Sequence, residues 1–153
     1  DEIQAIEAAD AAAAGRPQAQ AVLASEATSL VHGEEGLKAA LRITEALFSG
    51  SSVDLSESDL QQLSQDGMPF SQLSNSDIVD KPLTNLLTDA GMVKAGREVK
   101  DALARNSVFI NGIAKGSHDN MGASNSFTAE HGLYERFFLV RLGKKKYHLF
   151  ELI

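Results

Sequence analysis

The chain contains no cysteine and no tryptophan, and only three of its 153 residues are proline. Without cysteine there is no disulfide framework and no thiolate metal site, which favours a reducing compartment and makes a cytoplasmic origin our expectation. No apolar stretch approaches the roughly 18 residues that a membrane-spanning helix needs, and no basic-then-apolar leader is visible, so we expect no membrane partner. The first residue is Asp1 rather than Met, and we therefore expect a piece of a longer protein.

Positive charge is scarce in the first part of the chain. Up to Lys81 there are 4 Lys and Arg against 14 Asp and Glu, a net charge of −10, whereas the remainder has 10 against 7, a net charge of +3. The overall charge of −7 would argue against a nucleic-acid partner, because phosphate binding relies on cations that displace counterions. The asymmetry instead indicates two parts with separate roles, and only the second is a candidate for RNA contacts.

The residue pattern along the chain predicts an α+β fold in three parts. Residues 1–50 predict three helices of an N-terminal helical region. Residues 51–81 are rich in serine and predict a linker with one or two short helices, the first starting at a weak capping box of Ser56 and Asp59. Residues 82–153 predict a helical hairpin packed on a small antiparallel sheet. Its first strand pair is expected at the Asn111-Gly112 turn, and its second pair spans 136–142 and 147–152.

Two basic clusters occur in this last part. On the predicted helix 94–105, the apolar residues share one face and four cations occupy the other, although acidic neighbours at ion-pair spacing also fit a merely solvated face. The second cluster is a run of lysines at the tip of the last hairpin, which could instead only keep a sheet edge soluble. Both can face one phosphate backbone if the helix packs across the sheet. The candidate RNA-binding residues are Lys94, Arg97, Lys100, Arg105, Lys115, Arg136, Arg141, Lys144, Lys145, Lys146 and Tyr147, the last as a stacking surface.

The sequence contains no convincing enzyme site. His32 beside Glu34 and Glu35 is compatible with a metal or acid–base pair, but its position at a helix junction favours capping or packing. The other three histidines lie at no metal-ligand spacing, and there is no Gly-rich phosphate loop after a strand. We therefore expect no catalytic residue, metal or cofactor in this chain.

Two stretches carry a family resemblance. Residues 83–91, Lys94-Ala-Gly-Arg-Glu-Val-Lys100 and Ser107-Val-Phe-Ile-Asn-Gly112 resemble the alpha-L RNA-binding module first known from a ribosomal small-subunit protein. Ala95-Gly96 replaces the family's usual Ser-Arg, so Arg97 is displaced by one residue, whereas Lys100 carries over directly. Upstream, residues 29–50 (SLVHGEEGLKAALRITEALFSG) resemble the end of the anticodon-binding helical domain of bacterial tyrosyl-tRNA synthetases, and the final Gly-Lys-Lys-Lys-Tyr is similar to their C-terminal hairpin.

This resemblance implies a C-terminal synthetase fragment that holds tyrosine tRNA by its long variable arm and anticodon side. The catalytic domain of such a ligase, which uses ATP and Mg²⁺, would lie outside this chain, so the fragment itself should not aminoacylate. The longer protein is expected to be a homodimer and the fragment a monomer. Two alternatives stay open: a structural fragment docking on the catalytic domain, or an alpha-L module of another RNA enzyme such as a pseudouridine synthase or ribosome-rescue factor.

Overall fold

The computed structural model divides the chain into two compact units, Asp1–Glu45 and Ala46–Ile153. The residues that it describes are 2–12, 15, 18–50, 54–66 and 68–153. Residues 1, 13, 14, 16 and 17 of the predicted helical region and residues 51–53 and 67 of the predicted linker therefore lie outside the described part.

The first unit is helical. Helix α1 spans Glu2–Ala12, and α2 spans Gln18–Ser49, whose last residues belong to the second unit. Gly33 interrupts α2 with φ of 72° and ψ of 177°, a conformation that glycine adopts without a Cβ penalty. The sequence prediction that one helix ends here and another begins is confirmed. Among the described residues, no helix is both long and apolar enough to cross a membrane.

The second unit contains short helices and a five-stranded sheet. Its elements, in chain order, are α3 (Glu57–Gln65), β1 (Phe70–Leu73), α4 (Asn75–Ile78), α5 (Leu83–Asp89), α6 (Gly96–Ala104), β2 (Val108–Ile110), β3 (Ile113–Lys115), a 3-10 helix (Ser117–Met121), α7 (Ala123–Ser126), a second 3-10 helix (Ala129–His131), β4 (Phe137–Leu142) and β5 (Lys146–Leu152). The α+β class predicted from the sequence is confirmed.

Local turn chemistry sets both hairpins. Asn111 and Gly112 have φ of 49° and 81°, as a two-residue turn with positive φ requires, and they join β2 to β3. Gly143, at φ 66°, opens the turn between β4 and β5. At the end of α5, Gly91 at φ 76° lets the Met92 N–H reach the Leu87 carbonyl, which closes the helix with a Schellman motif.

The sheet differs from the prediction in one strand. Its order is β1-β5-β4-β2-β3, and β1 pairs in parallel with β5, so the sheet is mixed rather than antiparallel. The residue pattern predicts only short helices in this segment. A four-residue strand whose partner is the last strand of the chain leaves no local signal, because Phe70 pairs with Leu149. The predicted capping box is present at the start of α3, where Ser56 and Asp59 bond reciprocally.

One face of the sheet packs against α5, α6 and α7. Val99, Ala102 and Leu103 of α6 are fully buried, as the helical pattern predicts. The same pattern predicted burial of Ala95, which is wrong, because Ala95 is the exposed residue that precedes the helix. Phe127 packs against the sheet, with its ring tilted by 49° to that of Phe138 at a centroid distance of 4.9 Å and edge-on to that of Phe150 at 5.6 Å. Burial of these apolar side chains fixes α6 across the sheet.

The opposite face of the sheet is covered by α3 and the end of α2. The Tyr147 hydroxyl donates to the Leu47 carbonyl at 2.6 Å, and the Tyr134 hydroxyl donates to the Leu55 carbonyl at 3.0 Å. Leu60 of α3 is fully buried. The sheet is thus covered on both faces, and the segment 54–65 is a packed layer of the unit.

Candidate nucleic-acid interface

Helix α6 presents a row of cations to solvent. Because its apolar face is buried against the sheet, the Lys94, Arg97, Lys100 and Arg105 side chains are all exposed. Lys94 precedes the helix and Arg105 is its C-terminal cap, so the row extends along its whole length.

The tip of the β4–β5 hairpin lies beside this helix. Lys144, Lys145 and Lys146 are exposed, and the Lys146 ammonium donates to Glu98 of α6 at 3.1 Å. Because β5 continues directly from the tip, this contact brings the two basic clusters predicted from the sequence onto one side of the sheet. We call the four α6 cations and the three tip lysines the helix–hairpin surface.

Two carboxylates lie within the helix–hairpin surface. Glu98 pairs with Lys146, and Asp101 lies 3.9 Å from the Arg97 guanidinium. Arg105 donates to the backbone carbonyl of Asp101 rather than to its side chain. Both side-chain pairs are largely exposed, and exposed pairs contribute only about 0–1 kcal/mol, so these cations remain accessible to a stronger anion.

Lys115 lies on the same face of the sheet, at its edge. It ends β3 and pairs in register with Val108, whose side chain is buried against α6. Nearby, Lys100 lines a shallow depression of about 250 Å³ together with Ser117 and Asn120. These positions extend the basic face away from the hairpin tip.

The remaining three candidate residues lie on the opposite face and make contacts within the protein. Arg136 forms salt bridges with Glu57 at 2.6 Å and with Glu151 at 3.2 Å. The Arg141 guanidinium stacks 4.2 Å from the centroid of Phe109. Tyr147 is half-buried and bonded to α2, as described above. The structure does not bring Arg136, Arg141 and the Tyr147 hydroxyl onto the helix–hairpin surface, and their RNA contacts stay a prediction.

A groove of about 340 Å³ opens beside the hairpin tip, and we call it the tip groove. Its lining residues are Met68, Pro69, Gly91, Met92, Lys145, Lys146, Tyr147 and His148. Lys146 belongs both to this groove and to the helix–hairpin surface. The groove is not predictable from the sequence, because its walls come from three segments that are far apart in the chain.

His148 forms part of the groove wall and is buried. Its Nε2 is 2.9 Å from the Ser71 hydroxyl, and its ring stacks on Phe150 at 4.4 Å. Burial lowers the pKa of His148, so the ring is neutral at pH 7. Alternation along β5 could have predicted that residue 148 faces the core like residue 150. Among the described residues, no three His, Asp or Glu side chains form a group that could hold a metal ion.

Fold and surface together define a small α+β domain with one basic face, a class suited to binding a polyanion. A family model described as "Tyrosine--tRNA ligase SYY-like C-terminal domain" matches residues 59–150. The chain belongs to this family of tyrosine–tRNA ligase C-terminal domains, and the resemblance to the C-terminal part of bacterial tyrosyl-tRNA synthetases is confirmed.

Curated relatives agree over nearly the whole chain. Tyrosine–tRNA ligase of Dechloromonas aromatica is 46% identical over 147 residues, which cover 96% of this chain and 33% of that protein. Tyrosine–tRNA ligase 1 of Photorhabdus laumondii is 41% identical over 145 residues, covering 95% of the chain and 32% of that protein. Tyrosine–tRNA ligase 1 of Vibrio parahaemolyticus is 42% identical, with 97% and 33% covered. The chain thus spans about a third of the length of the curated relatives it matches.

Proposed function

We propose that this chain binds tRNA through the helix–hairpin surface. The observation that carries the proposal is the contact between Lys146 and Glu98, which joins two basic clusters from distant parts of the sequence. A phosphate backbone that crosses α6 can therefore also reach the hairpin lysines. Family membership supplies the kind of polyanion, since the matching relatives are tyrosine–tRNA ligases.

Phosphate contacts supply the affinity in this proposal. Among the salt bridges of the described residues, none involves Lys144 or Lys145, so these ammonium groups need not leave a protein partner. About 4 to 6 phosphates would be engaged by the seven cations, with Lys115 and the residues of the other face contributing less. Such contacts orient an RNA by shape and backbone geometry rather than by reading bases.

The RNA we assign is tyrosine tRNA, held by its long variable arm and anticodon side as an alpha-L module would hold it. The longer protein would be a cytoplasmic, homodimeric ligase that charges this tRNA with tyrosine, using ATP and Mg²⁺ in a catalytic domain outside this chain. In this assignment the chain itself is monomeric, has no catalytic residue and performs no chemical step. Its contribution is affinity and orientation.

Salt dependence tests the proposal directly. With 4 to 6 phosphates neutralised, log K for tyrosine tRNA should fall with log salt at a slope of roughly −3 to −5. Fluorescence anisotropy with labelled tRNA, with and without its variable arm, measures both affinity and slope. A flat salt response would refute binding through phosphates, and equal affinity for the armless tRNA would refute the assigned arm.

A charge-removal variant locates the surface. Replacing Lys144, Lys145 and Lys146 with Ala should weaken tRNA binding at least tenfold and bring the salt slope about two to three units closer to zero. Lys81→Ala is the matched control, because Lys81 pairs with Asp89 and lies outside the helix–hairpin surface. Unchanged affinity in the triple variant would move the binding site elsewhere.

A second role, docking on another domain of the longer protein, is favoured by exposed apolar side chains in the first unit. Leu23, Leu30 and Val31 of α2 are 70%, 87% and 73% exposed, more than a solvated helix requires. This role also predicts exposure of Leu37, Leu41 and Leu47; Leu41 is 55% exposed, whereas Leu37 and Leu47 are half-buried. Concentration-dependent self-association of residues 1–50, abolished by Leu23→Lys with Leu30→Lys, would support this role. A stable monomer at all concentrations would count against it.

A further inference from the structure

We propose that the tip groove accepts one unpaired nucleotide of a bound RNA, with its base between the two methionines and its phosphate against Lys145 and Lys146. This inference rests on the proposed function and adds a site to it. The groove's volume of about 340 Å³ falls in the range of roughly 300–1,000 Å³ typical of small-ligand sites.

The groove combines apolar walls with a basic rim. Met68, Pro69 and Met92 offer flat or adaptable apolar contacts, and thioethers adjust to irregular ring systems. The two lysines at the rim are exposed, whereas both methionines are partly buried. This combination matches the chemistry of a nucleotide, which has an apolar ring face and an anionic phosphate.

Lys146 connects the groove to the helix–hairpin surface. The same side chain lines the groove and reaches Glu98 of α6 at 3.1 Å. An RNA backbone that passes over α6 therefore arrives at the groove's rim. A continuous duplex keeps its bases stacked inside and cannot fill the groove, whereas a bulged or single-stranded residue can turn its base outward.

The chain's three methionines provide a direct test. Met68 and Met92 line the groove, whereas Met121 is 83% exposed in the 3-10 helix Ser117–Met121 and serves as an internal control. Methionine-methyl NMR of the full chain should be recorded with two RNA hairpins that differ only by one unpaired nucleotide. We expect the bulged hairpin to shift the Met68 and Met92 methyls but not the Met121 methyl, and the paired hairpin to shift none of the three.

A variant pair measures the contribution of the groove. Met68→Ala removes part of one wall without adding charge, and Met121→Ala is the matched control. Because Met68→Ala removes part of one apolar wall, it should lower affinity for the bulged hairpin about fivefold and leave affinity for the paired hairpin unchanged. Unfolding midpoints of both variants verify that the fold is retained.

The possible failures are distinguishable. If both hairpins bind with the expected salt slope but the Met68 and Met92 methyls stay unshifted, the groove proposal is overturned and the proposed function stands. If neither hairpin nor tRNA binds, both fall. A hexaglutamate peptide that shifts the two methyls as strongly as the bulged hairpin would also overturn the proposal, because the groove would then respond to negative charge alone.

Discussion

Glu98 lies in the middle of the helix–hairpin surface, and removing its charge should strengthen RNA binding. The substitution Glu98→Gln keeps the shape of the side chain but frees the Lys146 ammonium, which it holds at 3.1 Å. It also removes a negative charge that a bound phosphate backbone would have to pass.

The magnitude follows from the exposure of the pair. The Lys146 and Glu98 side chains are 52% and 46% exposed, so solvent screens their attraction to the roughly 0.2–1 kcal/mol measured for exposed pairs. If that energy is recovered for the phosphate contact, binding should become about 1.4-fold to fivefold tighter. One additional cation available to phosphate should make the salt slope steeper by about 0.7–0.9.

Anisotropy titrations with tyrosine tRNA at four salt concentrations provide both quantities. The exposed residue Glu130 offers a control, since Glu130→Gln changes the net charge equally on a different element. If Glu98→Gln binds tRNA no more tightly than Glu130→Gln, any gain in affinity comes from the change in net charge and not from the position of Glu98. If it binds more weakly than the unmodified chain, Glu98 supports the interface and the reasoning is wrong.

Three further predictions concern stability. Asn111→Ala removes a buried side chain that donates to the His131 and Phe137 carbonyls and accepts from the Leu139 N–H, so it should cost roughly 3 kcal/mol in urea unfolding. Asn106 has a similar positive φ but an exposed side chain, so Asn106→Ala should lower the free energy of unfolding by less than half as much. Equal losses for the two variants would show that backbone strain, not the buried hydrogen bonds, is responsible. Arg136→Ala should lower the free energy of unfolding by about 1 kcal/mol without changing tRNA affinity. A loss of tRNA affinity with unchanged stability would instead show that Arg136 contacts the RNA. Because burial lowers the pKa of His148, its neutral ring contributes stability above its ordinary pKa of 6.5, and this is lost as pH falls through the lowered value. His148→Gln should therefore flatten the decline of unfolding free energy between about pH 7 and 5, and an unchanged profile would contradict this assignment.

Elements defined by short-range chemistry were predictable from the sequence. Glycine and asparagine at positive φ fixed both hairpin turns, and the spacing of Val99, Ala102 and Leu103 identified the buried face of α6. The exposed cations of that helix followed from the same periodicity, because residues on the opposite arc must face solvent.

Features that depend on distant pairings were not predictable. Strand β1 is defined by its parallel partner at the far end of the chain, and no periodicity within Phe70–Leu73 indicates it. In the sequence, Arg136 and Arg141 resemble the tip lysines as candidate RNA-binding cations. Their side chains instead lie on the opposite face of the sheet, where Arg136 contacts Glu57 and Arg141 contacts Phe109. Alternation along a strand predicts which side chains share a face of the sheet. It does not predict which of the two faces another element covers.

The position of β5 in the sheet has a consequence for synthesis of the protein. Strand β5 follows both β1 and β4 in the chain but lies between them in the sheet, and it joins Gln72 to Glu151 across 79 residues. Until residues 146–152 have been made and have left the ribosome, β1 lacks this partner and the tip lysines have no fixed place beside α6. The helix–hairpin surface should therefore form only after β5 has been made. Ribosome-stalled chains that end before Lys146 offer a way to observe this order.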